Sequence, residues 1–229
     1  MIEAFRLGAF VRGRTLWDGL DFAFEDGNAW LVVGPPACGK TLLFSILRGE
    51  RRPDAGDVLV SGESLYRGSE SAASSFRASG GCVPERLDVD PRLTVYGLFR
   101  RSELMCGDLS ADERKERRDR LLSMVGLADA GDARFSTLSA SERARAALAA
   151  ELLRKPKILF ADGVVQAAGM PFVEMLGGLF RAMAGAGSTL LLAERQLPAS
   201  WAAFAGRGRP VGPFLVYRLT RVAPKGGSG

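Results

Sequence analysis

The stretch "AWLVVGPPACGKTLLFSILRG" (29–49) constrains this chain more than any other. An apolar run of strand length, Ala29 to Val33, leads straight into a glycine-rich loop and then into residues whose apolar positions recur at helical spacing. Gly34, Gly39, Lys40 and Thr41 satisfy the spacing GxxxxGK[ST] in the setting that gives it meaning, between a buried strand and a helix start. Backbone N–H groups of such a loop and helix N-terminus point at phosphate oxygens. The lysine neutralises the β and γ groups, and the threonine hydroxyl is offered to Mg²⁺. The expected cradle is Gly34, Pro35, Pro36, Ala37, Cys38, Gly39, Lys40, Thr41 and Leu42. A plain strand-to-helix turn has no use for the lysine. Cys38, near the helix N-terminus and Lys40, has a setting that activates thiols, although a small filler residue serves the loop equally well.

Around this unit the chain alternates strand and helix patterns. Ile2 to Phe24 reads as twisted antiparallel strands broken by turns at "RGR" and "WDG". "DVLVSG" (57–62) and "GCVPE" (81–85) read as short strands, with a loop or short helix in the Ser/Ala/Gly-rich segment between them. Residues 91–154 read as mostly helical: Ser110 and Glu113 stand at capping-box spacing, and a second helix follows "LSASE" as far as Pro156. "KILFAD" (157–162) and "STLLLAE" (188–194) are further buried strands, with "PFVEMLGGLFRAMAGAG" as the helix between them and "FLVYRLTRV" alternating near the end. These patterns predict one α/β domain over 1–224, a helical insertion at about 86–154, and a flexible Gly/Ser tail at 225–229.

Composition narrows the chemistry. No apolar run approaches the roughly 18–20 residues that span a bilayer, and the N-terminus lacks a secretory pattern, so a cytoplasmic location is expected. Three widely spaced cysteines, Cys38, Cys82 and Cys106, fit neither a disulfide framework nor a CxxC-type metal site. The formal charge of +5 favours an anionic partner or simply a solvated Arg-rich surface. Histidine is absent, which removes the commonest general base.

The order P-loop, "GCVPE", "LTVYGLF", "LSASERARAALAAELLRKPKILFAD", "STLLLAER" resembles the nucleotide-binding subunit of ABC transporters from about Phe5 to Val222. The N-terminal spacing is similar to that of the small bacterial subunits of the cell-division and lipoprotein-release type. The resemblance implies an α/β P-loop NTPase fold of ABC type: a mostly parallel sheet core, an N-terminal antiparallel β subdomain and an inserted α-helical subdomain. It implies ATP and Mg²⁺ as cofactors. Phe10 would be the adenine-stacking aromatic, although an aromatic on an early strand is ordinarily a core residue. "LSASE" (138–142) would be the signature LSGGQ, with Ser139 donating to phosphate, and Asp162 the Walker B carboxylate. Thr41, Asp162 and Glu85 are the candidate metal positions.

The positions that the resemblance assigns to catalysis depart from the family pattern. Gly163 stands for the general-base glutamate, Glu85 for the Q-loop glutamine, Arg195 (preceded by Glu194) for the switch histidine, and Gly169 for the D-loop aspartate. In the signature Ala140, Ser141 and Glu142 replace Gly-Gly-Gln. A positioned general base is worth about 10²–10⁴ in rate, and a glycine supplies none. Arg195 can meet phosphate oxygens as a cation, and side chains at 140 and 141 add bulk where two subunits approach closely. Three routes around these losses exist: Glu85 acting on metal or water, Glu194 in the switch position, or an acidic group from a partner. Glu85 and Glu194 are otherwise expected to be solvated loop carboxylates.

The sequence therefore predicts an ABC subunit that binds Mg-ATP and hydrolyses it slowly or not at all. It would be a peripheral, regulatory or structural partner of integral membrane ABC subunits on the cytoplasmic face of the inner membrane. It would close as a homodimer or heterodimer and dock through Glu85 and the segment from about Arg86 to Met105. The alternatives are an active transport ATPase with unusual residues and a scaffold that binds no nucleotide. Nucleic acid is not an expected partner: no long coiled-coil insertion, second ATPase half or interleaved aromatic-basic patch is present.

Overall fold

A computed structural model describes residues 1–104, 106, 109–198, 201 and 214–219, of which 214–217 are described by their backbone alone. The strands are β1 (Ile2–Val11), β2 (Arg14–Phe24), β3 (Ala29–Val33), β4 (Ala55–Val60), β5 (Glu63–Ser64), β6 (Gly80–Val83), β7 (Ile158–Asp162), β8 (Thr189–Glu194) and β9 (Phe214–Arg218). The helices are α1 (Lys40–Leu47), α2 (Glu70–Ser79), α3 (Val95–Glu103), α4 (Ala111–Met124), α5 (Ala140–Leu153), α6 (Val164–Ala168) and α7 (Met170–Gly185).

Continuous apolar runs make the central sheet, with strand order β6-β7-β8-β3-β9 and every neighbouring pair parallel. All residues of β7 and β8 are buried, as a sheet covered on both faces requires. A second sheet, β2-β1-β4-β5, is antiparallel. One core lies between it and the parallel sheet, built around Trp17, α1 and Phe160, with the Phe44 and Phe160 rings edge-on at 5.5 Å. Another covers the opposite face, where α7 lays Val173, Leu176 and Phe180 onto β3, β7 and β8. Each fully buried side chain of this kind contributes about 1.5–3 kcal/mol.

The helical insertion stands between β6 and β7 as α3, α4 and α5, with its own core of Phe99, Leu122, Phe135 and Leu153. α4 starts at Ser110 with the expected reciprocal cap to Glu113. α5 is alanine-rich and buried on nearly all sides, because it faces that core on one side and the sheet core on the other.

Two local expectations change, and one open alternative resolves to its helical form. "WDG" is not a turn: Trp17 to Gly19 lies inside β2, where an extra residue between the pairs Ala9–Trp17 and Leu7–Leu20 makes a bulge. Gly19 takes up that irregularity, and Trp17 is completely buried. The segment between β5 and β6 carries α2, started by Ser69, whose side chain accepts from the Ala72 N–H. The chain after Asp162 enters α6, which the sequence pattern does not announce. Met105, Val222 and the expected tail at 225–229 lie outside the described residues.

Candidate functional site

The site collects at the C-terminal edge of the parallel sheet, the end where α/β sheets hold ligands. The P-loop follows β3, Asp162 ends β7, Glu194 ends β8, and Glu85 comes two residues after β6. They enclose a cavity of about 530 Å³. Gly39 gives α1 its start with φ +98°, and a Cβ there would stand 2.6 Å from the Trp17 indole nitrogen, so the loop passes too close to β2 for any other residue.

Lys40, only 9% exposed, donates through Nζ to the carbonyls of Gly34 (2.7 Å) and Pro35 (3.1 Å), so its cation sits within the loop. Cys38 is fully buried and packs in the core beneath the loop, which is the filler role and not that of an accessible thiol. Thr41 Oγ1 donates to Asp162 Oδ2 at 2.5 Å. Burial, with some help from Glu85, holds the Asp162 carboxyl above its usual range, against the Thr41 hydrogen bond and Lys40. A hydroxyl and a carboxylate in contact are the hard oxygen donors that Mg²⁺ takes. Among the described residues no cluster of three or more acidic or cysteine side chains is placed to hold a metal.

Glu194 corrects an expectation. It is 3% exposed, not a solvated loop carboxylate. Its Oε1 accepts from the Val165 N–H at 2.7 Å, at the start of α6, and its backbone carbonyl accepts from the Gly34 N–H at 3.3 Å. Burial pushes its pKa up to about 7, opposed by the backbone N–H groups of Val165 and Gln166. One residue thus ties the phosphate loop to the turn after Asp162.

That turn is Gly163, with φ +67°, in the left-handed region that glycine tolerates best. Its N–H donates to the Ala193 carbonyl at 2.7 Å, and a Cβ there would meet the Glu85 side chain at 3.4 Å. Glu85 faces Arg195 across the cavity mouth at 3.9 Å, and the two side chains are 54% and 56% exposed.

The N-terminus of α5 is closed on itself. The Ser139 N–H donates to the Glu142 carboxylate at 2.7 Å, while Ser139 Oγ accepts from the Glu142 N–H. These bonds hold the Glu142 carboxyl below its usual range. Ser141 Oγ donates to the Ala168 carbonyl at 2.5 Å, joining α5 to the end of α6.

A model of the ABC transporter family matches residues 17–166. The chain belongs to the ABC transporter family. It is 31% identical to an uncharacterised ABC transporter ATP-binding protein of Thermotoga maritima, over 78% of this chain and 76% of that one. It is 27% identical to an ABC transporter ATP-binding/permease protein of Mycobacterium tuberculosis over 88% of this chain, and that match spans only 25% of the mycobacterial protein. A solved dimeric bacterial ABC transporter cassette superposes with a TM-score of 0.75 at 20% identity, covering 86% of this chain and 88% of that one. An ATP-binding subunit of an ABC transporter superposes at 0.77 and 17% identity, covering 96% and 88%. At these identities the likeness is one of fold, and it agrees with the ABC-type architecture expected from the sequence.

Within this ABC cassette, Pro36, Ala37, Gly39, Lys40, Thr41, Leu42, Glu85, Asp162, Gly163 and Arg195 meet around the cavity. Ser139 lies outside its wall. Phe10 is 45% exposed on β1, not a core aromatic, and its strand neighbours Val11 and Leu16 form the wall instead. Val11, Leu16, Arg51 and Gln166 are wall residues that the sequence pattern did not single out. No helix among the described residues is long and apolar enough to cross a membrane.

Proposed function

We propose that this ABC cassette holds Mg-ATP and hydrolyses it slowly or not at all, serving as a regulatory or structural partner of integral membrane ABC subunits. The observation that carries the reading is the contrast around Asp162. Thr41 bonds Asp162 directly and Lys40 lines the same cavity, whereas the residue after Asp162 is a glycine in a left-handed turn. Lys40 would leave the Gly34 and Pro35 carbonyls for the β and γ phosphates. Thr41 and Asp162, with Glu85 nearby, would hold Mg²⁺, which neutralises phosphate charge, and Phe10 would stack on the base. Gly163 presents no group to orient water. A glutamate there would have to adopt a backbone that costs about 1–2 kcal/mol.

The signature end supports the same reading. In a closed dimer Ser139 and the α5 N-terminus would meet the phosphate held by the other subunit. Here the Ser139 N–H is already taken by Glu142, whose carboxylate would also repel an incoming phosphate. The dimer, with a second copy or another nucleotide-binding subunit, would close against that repulsion. Docking to a membrane subunit would use the groove of about 280 Å³ beside Glu85, walled by Leu87, Val89 and Pro91 on one side and Phe135, Ala140 and Arg143 on the other. The chain would then lie on the cytoplasmic face of the inner membrane as one domain over 1–224, with 86–154 as its docking subdomain.

A second reading, a working ATPase with unusual residues, is favoured by Glu194. It is a buried carboxylate on the cavity wall with a pKa near 7, suited to proton transfer at neutral pH. Its capture by the α6 N-terminus argues for a structural task. Binding of a fluorescent ATP analogue with Mg²⁺, measured beside steady-state phosphate release, separates the readings. Tight binding with background turnover is expected. Turnover of about 1 s⁻¹ or more that Lys40→Ala and Glu194→Gln both abolish would establish the second reading. Undetectable binding of ATP and ADP would leave a scaffold.

A further inference from the structure

A second cavity is larger than the phosphate site. At about 1020 Å³, it opens at the other end of the parallel sheet, where β7 and β8 begin. Its walls come from α2, α4, α7 and the turn between α5 and β7. The lining is divided by chemistry. Phe76, Leu121, Leu152, Ile158, Leu179 and Met183 make an apolar floor. Arg117, Arg120, Lys155 and Lys157 supply four cations, against one carboxylate, Asp26.

The charges are unbalanced in fact as well as in number. Asp26 is engaged by the Met1 amino group at 2.5 Å and accepts from the Thr189 hydroxyl at 3.3 Å. Arg120 pairs with Glu116 at 2.6 Å. No ion pair among the described residues takes up Arg117, Lys155 or Lys157, and Arg117 is half-buried with Nη2 donating to the Leu152 carbonyl at 3.0 Å. Lys155 follows α5 with φ +49°, at a position where helices usually end in glycine. The chain therefore keeps a lysine where its own backbone would prefer none.

We propose that this cavity binds a free single-chain amphipathic anion, an alkyl or acyl chain carrying a phosphate or carboxylate head. The head would meet Lys155, Lys157 and Arg117, and the chain would lie on the floor between α4 and α7. Three cations without an ion-pair partner around a wide mouth suit a small anionic head, and a floor of apolar side chains offers no specific hydrogen bonds, only the exclusion of water from a tail. The site is separate from the nucleotide cavity and does not depend on whether ATP is cleaved.

Titration calorimetry of the whole chain with dodecyl phosphate, below its micelle concentration, tests the assignment. Saturable one-to-one binding is expected. It should weaken more than tenfold for octyl phosphate, because each buried methylene strengthens binding about fourfold. A neutral dodecyl ether and inorganic phosphate alone should each bind at least tenfold more weakly. Lys155→Gly with Lys157→Gln removes two charges while relieving the backbone at 155, and should weaken dodecyl phosphate at least tenfold with nucleotide affinity unchanged. Ala182→Trp, at an exposed position on the cavity wall, narrows it without altering charge and should also block the chain. No binding of dodecyl phosphate, binding unaffected by both variants, or capture by phosphatidic acid vesicles without binding of the free amphiphile would each overturn the proposal.

Discussion

The floor of the P-loop cavity and its rim are built differently. On the floor, Lys40, Asp162 and Glu194 are buried and their polar atoms are engaged with the loop, Thr41 and the start of α6. On the rim, Glu85 and Arg195 are half-exposed and 3.9 Å apart, and Gly163 has no side chain. Each floor residue bonds a buried or part-buried group, so replacing it carries a cost in stability as well as in chemistry. Rim residues carry no such obligation. On the proposed reading, rim chemistry is what such a chain can lose while keeping the means of holding phosphate, and Gly163, Glu85 and Arg195 all stand at the rim.

The contrast can be broken or sharpened by substitution. The largest effect is expected at Glu194. Burial raises its folded pKa from the ordinary 4.5 to about 7, so the folded state binds the proton more tightly than the unfolded one. That contribution is complete below about pH 4.5 and disappears as the pH rises through about 7. Without nucleotide or Mg²⁺, urea unfolding of the parent should lose about 3 kcal/mol more stability than Glu194→Gln between pH 4.5 and 8. Equal slopes would place Glu194 in solvent and dissolve the distinction between floor and rim.

Lys40→Ala removes the buried cation and should cut Mg-ATP affinity about 10²-fold, the worth of one or two charge-assisted hydrogen bonds, by fluorescence titration. Gly163→Glu comes next. It should lower stability by about 1–2 kcal/mol, because position 163 is left-handed, and should leave turnover at the parent level. Strong rescue of hydrolysis by this change would mean that the backbone shifts freely and that only a carboxylate was missing. The smallest effects belong to Glu85→Gln and Glu142→Gln, each below about 1 kcal/mol in stability. Glu142→Gln should nonetheless promote ATP-dependent dimerisation in analytical ultracentrifugation, by removing a negative charge from the α5 N-terminus.

How much of this was readable in the sequence follows the same division. The strands at 29–33, 158–162 and 189–194 and the P-loop were plain, because buried parallel strands are continuous apolar runs and the loop has a fixed glycine-lysine spacing. Ser110 and Glu113 announced their cap, and Ser139 and Glu142 stand at the same spacing. That second cap is masked because "LSASE" also stands where the family carries a glycine-rich signature. Trp17 looked like part of a turn because its burial depends on a bulge in β2 and on the loop at Gly39 above it. Glu194 looked solvated because nothing local records that α6 turns its first N–H groups toward it. Residues fixed by their own segment's periodicity were legible. Those fixed by a neighbouring element were not.

The central claim, holding without cutting, is tested most directly by a single-turnover experiment with the chain in excess over radiolabelled Mg-ATP. The label is followed after rapid acid quenching. The expected result is ATP that is bound, protected from exchange with unlabelled nucleotide, and still intact after many minutes. Conversion to ADP at about 1 s⁻¹ or faster, lost on Lys40→Ala, would contradict it.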